Sequence, residues 1–276
     1  MFGVMNLINL AHGSFYMVGA YVAATVMQAT GSFFIALPVA VLSAAFCGLL
    51  VEIIVLRHLY KRDHLDQVLA TFGLILFFNE ATRMIWGRQP LFMQMPDYFS
   101  STVEIIPGVP YPLYRLLIIG VGVLVAIGLY GLINHTRVGM RIRAGASNRV
   151  MIAALGVNIR WLYSLVFALG ALLAGFAGVM VAPIFAVESG MGEGVLILTF
   201  VVIVIGGIGS VKGALIAALL VGLVDTLARA FLPLVLQTLF ATNSANSVAA
   251  SLSSVGIYLF MVVVLALKPR GLFPTN

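Results

Sequence analysis

Few residues in this chain have side chains suited to chemistry, and none stands in a catalytic order. Its four histidines, His12, His58, His64 and His135, are scattered without the spacing of metal ligands. No Ser–His–Asp order, HExxH, phosphate-binding loop or CxxC pair is present, so no residue is a candidate for catalysis. The single Cys47 lies in apolar sequence, excludes an intrachain disulfide and reads as a buried, inert thiol. What remains is the chemistry of binding. Asn6, Asn9, His12 and Ser14 cluster beside Gly13 at the cytoplasmic end of the first apolar span. Such a cluster at a helix break can line a solute pathway or simply cap a helix end. Gly206, Gly207, Gly209 and Ser210 form a second polar, Gly-broken segment that can line a pathway or pack. Glu188 and Glu193 flank the turn ESGMGEG, where carboxylates can meet a substrate ammonium, contact an external partner or stay solvated. Glu80 with Arg83, and Asp225 with Arg229, have the spacing of pairs on one helix face. Glu52, about a turn from Arg57, is expected to snorkel to the cytoplasmic interface.

The elements that must position these groups are membrane helices. Of the 276 residues, 62% are hydrophobic and only 9% charged, and the mean hydropathy is +1.13. A soluble core does not need that much apolar surface, whereas a bundle facing lipid does. The expected fold is therefore all-α, one polytopic transmembrane bundle over residues 1–276. Its spans are read as 14–29, 32–56, 67–86, 113–133, 161–183, 194–207, 213–232 and 249–267. The sixth, GVLILTFVVIVIGG, is too short for a regular crossing and is expected to be broken or re-entrant. Between spans, the 87–112 connection is rich in Pro and aromatics and suits the outer interface. A second outer connection is expected at 233–248. Ala171/Gly175, Ala174/Gly178 and Gly209/Gly213 have the small-xxx-small spacing of close helix contacts.

Charge sets the orientation. Placing 57–66, 134–160, 208–212 and 268–276 on one side collects eleven of the fifteen Lys and Arg residues there. That side, with the C-terminus, is expected to be cytoplasmic. The same distribution accounts for the net charge of +6 without nucleic acid. The 134–160 loop alone holds Arg137, Arg141, Arg143, Arg149 and Arg160 and no acid. Within it, MIAALGVN can form one small helix ending at Gly156, with Met151, Ala153, Ala154 and Leu155 as a small apolar face. That is the form of a docking element for a cytoplasmic partner. HGSFYMVGA and GIGSVKGA share Gly-Ser followed by Gly-Ala and hint at an internal parallel repeat.

Five separated stretches carry a family resemblance: INLAHGSFYMVGAYVA, TRVGMRIRAGASNRVMIAALGVN, FALGALLAGFAGVMVAP, VVIVIGGIGSVKGALIAALLVGLVD and KPRGLFP. In this order, over essentially the whole chain, they resemble the branched-chain amino acid permeases of bacterial ABC importers. The likeness is to the shorter permease of the leucine/isoleucine/valine type. It implies a heterodimer with a related permease, two cytoplasmic ATPases that bind the ATP-Mg, and a periplasmic binding protein, all at the inner membrane. This chain itself would carry no cofactor. It also implies that Arg141–Gly156, including Arg143, forms the coupling helix in an ATPase groove. Family members usually carry a further N-terminal helix before the position of Phe2, and the chain is expected to be a piece of a longer product. Related permeases move urea or short amides. A self-sufficient channel or secondary transporter would show intramembrane ionisable residues, which are nearly lacking here. A purely structural membrane subunit is disfavoured by the paired Gly-rich breaks.

Overall fold

The computed structural model describes residues 9–60, 62–106, 108–237 and 242–273. They form two compact units, one up to Leu196 and one from Ile197. In chain order the first holds α1 (His12–Thr30), α2 (Phe33–Leu59), α3 (His64–Trp86), strands β1 (Thr102–Ile106) and β2 (Val109–Pro112), α4 (Leu113–His135), α5 (Arg137–Ser147), α6 (Arg149–Ala154) and α7 (Ile159–Val181). The helix α8 (Met191–Gly206) runs from the first unit into the second, which continues with α9 (Val211–Gln237) and α10 (Thr242–Leu267). Among the described residues α2, α3, α4, α7 and α9 are long and apolar enough to cross a membrane, and α8 is a shorter apolar helix. The chain is a multi-pass helical membrane protein.

The core of the first unit is α1 packed between α2 and α7. Small residues bring their backbones together: Gly19 lies against Gly175, Gly178 against the Tyr16 carbonyl, Gly48 against Ala171, and Gly175 also against Ala44. The Ala171/Gly175 and Gly178 positions thus pack as their spacing suggested. From Gly13 to Ala24 nearly every α1 residue is buried, so α1 is sheathed by protein while Phe34, Leu42 and Phe46 of α2 face outward. Gly31, at φ 66°, ends α1 with its N–H on the Met27 carbonyl. Helix α4 is the opposite case: of its residues only Tyr114 is buried, Leu117, Ile118, Val121 and Leu132 lean on the core, and Gly120, Gly122, Gly128 and Gly131 face open space. Its first turn is anchored where the Tyr114 hydroxyl donates to the Met180 carbonyl at 2.9 Å.

Several sequence expectations are corrected. The 87–112 connection is not merely irregular: β1 and β2 pair antiparallel, Thr102 opposite Pro112 and Glu104 opposite Pro110. Backbone bonds between Leu91 and Val187, 2.9 and 2.8 Å, tie the start of this connection to the turn before α8. The 134–160 loop holds two helices, α5 and α6, because Thr136, Asn148 and Asn158 each cap the helix that follows. The 233–248 connection is shorter than expected, since α9 continues through Pro233 to Gln237 and α10 begins at Thr242. Cys47 is only half-buried. The pairs Glu80–Arg83 (2.7 Å) and Asp225–Arg229 (2.8 Å) form as their spacing suggested.

Glu52 does not snorkel. It is fully buried, at the start of a π-turn, Glu52–Leu56, that widens α2. A buried carboxylate is kept only when paired and hydrogen-bonded, and Glu52 is both. Its Oε2 accepts from Arg57 Nη2 at 3.3 Å and Ser164 Oγ at 2.7 Å, and its Oε1 from the Tyr60 hydroxyl at 3.0 Å. Burial, together with the adjacent carboxylate, pushes the Tyr60 hydroxyl far above the ordinary tyrosine range and keeps it a donor.

In the second unit Val201 and Ile205 of α8 pack with Ala217 and Val221 of α9 and Ile257 and Val264 of α10. The close glycine contact there joins Gly213 to Gly206; Gly209 sits in the turn at φ 88°, so it does not share a helix face with Gly213 as the spacing suggested.

Candidate pathway and coupling sites

Asn6 lies outside the described residues. The remaining members of its cluster sit where α1 begins. The Asn9 amide oxygen accepts the Ala11 N–H at 3.0 Å and its amide nitrogen lies 2.7 Å from His12 Nδ1, so Asn9 organises the break before the helix. The His12 ring stands edge-on to Phe15 and Phe167, with centroids 5.7 and 5.3 Å away. Phe15 in turn meets Phe78 and Phe167. Phe167 lies eight residues into α7, about 12 Å along its axis at ~1.5 Å per residue. The cluster therefore lies at the start of the first apolar helix, as the sequence suggested, beside a point about two turns into α7. The Gly13 backbone lies directly against Gly192 in the first turn of α8, where a Cβ on either would collide.

Two helix starts thus meet inside the first unit. Beside them a crevice too tight to admit a water molecule is lined by buried Ser14, by Met17 and Ile75, and by Asn79 and Glu193. Asn79 Nδ2 donates to Glu193 Oε1 at 2.5 Å. Glu193 is exposed, as a solvated loop charge would be, yet it belongs to α8 and faces α3. Nearby, Arg83 Nε donates to Ser189 Oγ at 2.9 Å. No group of three His, Cys, Asp or Glu side chains that could hold a metal ion occurs among the described residues.

The Gly206–Ser210 segment has a different character. Gly207 is at φ 97°, and a Cβ there would lie 3.0 Å from the Phe273 carbonyl oxygen and 3.2 Å from that of Arg270. Residues 271–273 run past the end of α8: Leu272 N–H donates to the Ile205 carbonyl at 2.8 Å and Phe273 N–H to that of Gly206 at 3.1 Å. Two carbonyls left open at the helix end are satisfied in this way. Ser210 Oγ accepts the Gly213 N–H at 3.0 Å and caps α9. Every polar group described here thus has a structural partner within the second unit. The C-terminal strap was not foreseen, because KPRGLFP carries no local signal of pairing with residues some 65 positions earlier.

In the loop segment, Met151 (60% exposed), Ala153, Ala154 and Leu155 (76% exposed) face outward while Ile152 is buried. Gly156, at φ 83°, closes α6 with its N–H on the Ala153 carbonyl, and Val157 N–H reaches that of Ile152. Arg141 is exposed; Arg143 is engaged, donating to the Ile133 carbonyl at the end of α4 and lying 3.4 Å from Asn134 Oδ1. Helix α5 is seated by Gly139 on the carbonyls of Leu132 and Ile133, and by Gly145 against Leu162 of α7.

The family profile described as branched-chain amino acid transport system / permease component matches residues 1–267. The chain belongs to this family. Among relatives of the permease is the high-affinity branched-chain amino acid transport system permease protein BraD of Pseudomonas aeruginosa, 28% identical over 237 residues, covering 82% of this chain and 77% of that one. LivH of Escherichia coli, of the same description, is 25% identical over 252 residues, covering 84% and 79%. The ribose import permease protein RbsC of Escherichia coli is 26% identical over 229 residues, covering 79% and 68%. No solved structure gives a significant match to the chain.

Proposed function

We propose that this permease is the membrane-spanning subunit of a binding-protein-dependent ABC importer that carries branched-chain amino acids inward across the bacterial inner membrane. It works as a heterodimer with a related permease. Two cytoplasmic ATPases bind and hydrolyse ATP-Mg, and a periplasmic protein delivers the solute. The observation that carries the reading is the match over residues 1–267 to a permease family of that description. The outward apolar face of α6, held between capped helices, supports it as the surface an ATPase groove receives. Closure of the ATPases would move this element and switch the bundle between outward and inward access, the two states differing in their contacts with the solute. Asn9, His12 and Ser14, with Asn79 and Glu193, are the proposed pathway groups of this chain.

The test is uptake of labelled leucine, isoleucine and valine by cells lacking their own branched-chain importers and expressing the permease with its partner subunits. ATP-dependent uptake of these, with urea, acetamide and ribose left outside, is expected. Transport of ribose or urea in place of the amino acids would overturn the substrate assignment. Uptake by the permease without any ATPase would favour a self-sufficient transporter.

A further inference from the structure

We propose that the buried Glu52–Ser164 contact is the joint through which movement of the ATPase-docking segment enters the membrane bundle, which makes Glu52 and Ser164 positioning residues for transport. The proposal rests on the importer reading above. Ser164 stands five residues beyond the start of α7, and α7 follows α6 directly through Gly156, Val157 and the Asn158 cap, whose side chain accepts the Trp161 N–H at 3.2 Å. A shift of α6 therefore reaches Ser164 without crossing a flexible linker. Helix α5 is geared to the same turn, where Gly145 lies against Leu162.

The Ser164 hydroxyl has one proton and two acceptors within reach. One is Glu52 Oε2 of α2 at 2.7 Å, and the other is the Arg160 carbonyl of its own helix at 3.1 Å. Arg57 Nη2 also donates to Ser164 Oγ, at 3.1 Å, so Arg57 touches both sides of the contact. The edge-on rings of Tyr60 and Tyr163, 5.2 Å between centroids, complete the junction. On the α2 side the receiving element is the π-turn Glu52–Leu56, in which the Arg57 N–H reaches back to the Glu52 carbonyl. Single π-turns inside α-helices are frequent at functional sites. If the docking segment turns α7, the Ser164 hydroxyl turns its hydrogen bond from Glu52 Oε2 to the Arg160 backbone carbonyl, the carboxylate loses one of its donors, and the π-turn relaxes toward α-helix. This gives α2 two discrete arrangements that the ATPases can bias.

The experiment uses the complete complex in proteoliposomes, and reads solute moved per ATP hydrolysed, with whichever solute the wild-type complex transports. Glu52→Gln, Ser164→Ala and Ser164→Thr are compared for that ratio, for complex yield and for melting temperature. Glu52→Gln and Ser164→Ala are expected to lower the ratio by about tenfold, within the usual range of coupling strengths, at near wild-type yield. Ser164→Thr, which keeps the hydroxyl, restores it. Should Glu52→Gln fail to assemble, Ser164→Ala carries the test, since it removes only one oxygen. A wild-type ratio in Ser164→Ala overturns the proposal, as does lowered yield or melting with a normal ratio, which marks a structural anchor alone. If the wild-type complex moves a solute other than branched-chain amino acids, the substrate reading fails while the ratio still decides the joint.

Discussion

The contact of Gly19 with Gly175 makes a sharp test of how the bundle is held. A Cβ built on Gly19 would lie 2.5 Å from the Gly175 Cα and closer still to its carbonyl oxygen. Both neighbours are backbone, so no side chain can turn aside. Relief requires α1 and α7 to part by about 1 Å, and close-packed interiors have no slack of that size. Overpacking of this kind costs roughly 1–3 kcal/mol. At about 2–4 °C per kcal/mol for a chain of this length, Gly19→Ala is expected to melt roughly 2–12 °C below wild type. Gly122→Ala makes the same chemical change in α4, where nothing lies within 4 Å of the added carbon. It is expected to melt at or above wild type, because alanine is the better helix former by about 1 kcal/mol. The assay is thermal melting of the purified chain in detergent, followed by fluorescence size exclusion. Equal melting of the two variants would refute the claim that glycine-mediated backbone contact holds α1 in place.

Gly156→Asp puts a side chain at φ 83°, at a strain of ~1–2 kcal/mol, and Ala154→Arg blocks the exposed face of α6. Both are expected to lose co-purification with the ATPases or solute-stimulated ATP hydrolysis while the permease stays in the membrane, and wild-type levels of both measures would remove α6 from the docking surface. In a Cys47→Ser background, Cys at the exposed Ser147 should react only from the cytoplasm and Cys at the exposed Ser100 only from outside; reversed labelling overturns the orientation. Gly207→Leu is expected to lower the yield of folded protein, because Gly207 lies against the 271–273 strap. Ser14→Ala, which removes the hydroxyl without adding bulk at the crevice, is expected to lower uptake at unchanged yield, and normal uptake by that variant would leave Ser14 with packing alone.

The five long apolar helices α2, α3, α4, α7 and α9 were legible because twenty-residue apolar runs announce themselves, and the Ala171/Gly175 spacing was legible because helix packing repeats every four residues. Gly156 as the end of α6 followed from local chemistry as well. The two pairs, Glu80–Arg83 and Asp225–Arg229, needed only one helix face. What the reading missed depends on distant partners. Glu52 near Arg57 looks like an interfacial pair until Ser164, more than a hundred residues on, buries it. The contact of Gly13 with Gly192 was hidden for the same reason, since the two lie some 180 residues apart. Helix α5 could have been found from Thr136, a cap residue ahead of Arg137, but its basic sequence drew attention to charge. The hairpin of β1 and β2 hides in a stretch whose prolines argue against strands; Pro110 and Pro112 are tolerated because in a two-stranded sheet both strands are edges.

The strap formed by Leu272 and Phe273 has a consequence for biosynthesis. The carbonyls of Ile205 and Gly206 acquire these two donors only after some 65 further residues have been made. At ~5–20 residues per second, that is a delay of roughly 3–13 seconds during which α8 is in place with its end open. For that interval the helix end depends on water or on the insertion machinery for hydrogen bonds. The residues that close it are made well after the helix they complete, so the second unit reaches its final hydrogen bonding only once Leu272 and Phe273 have emerged.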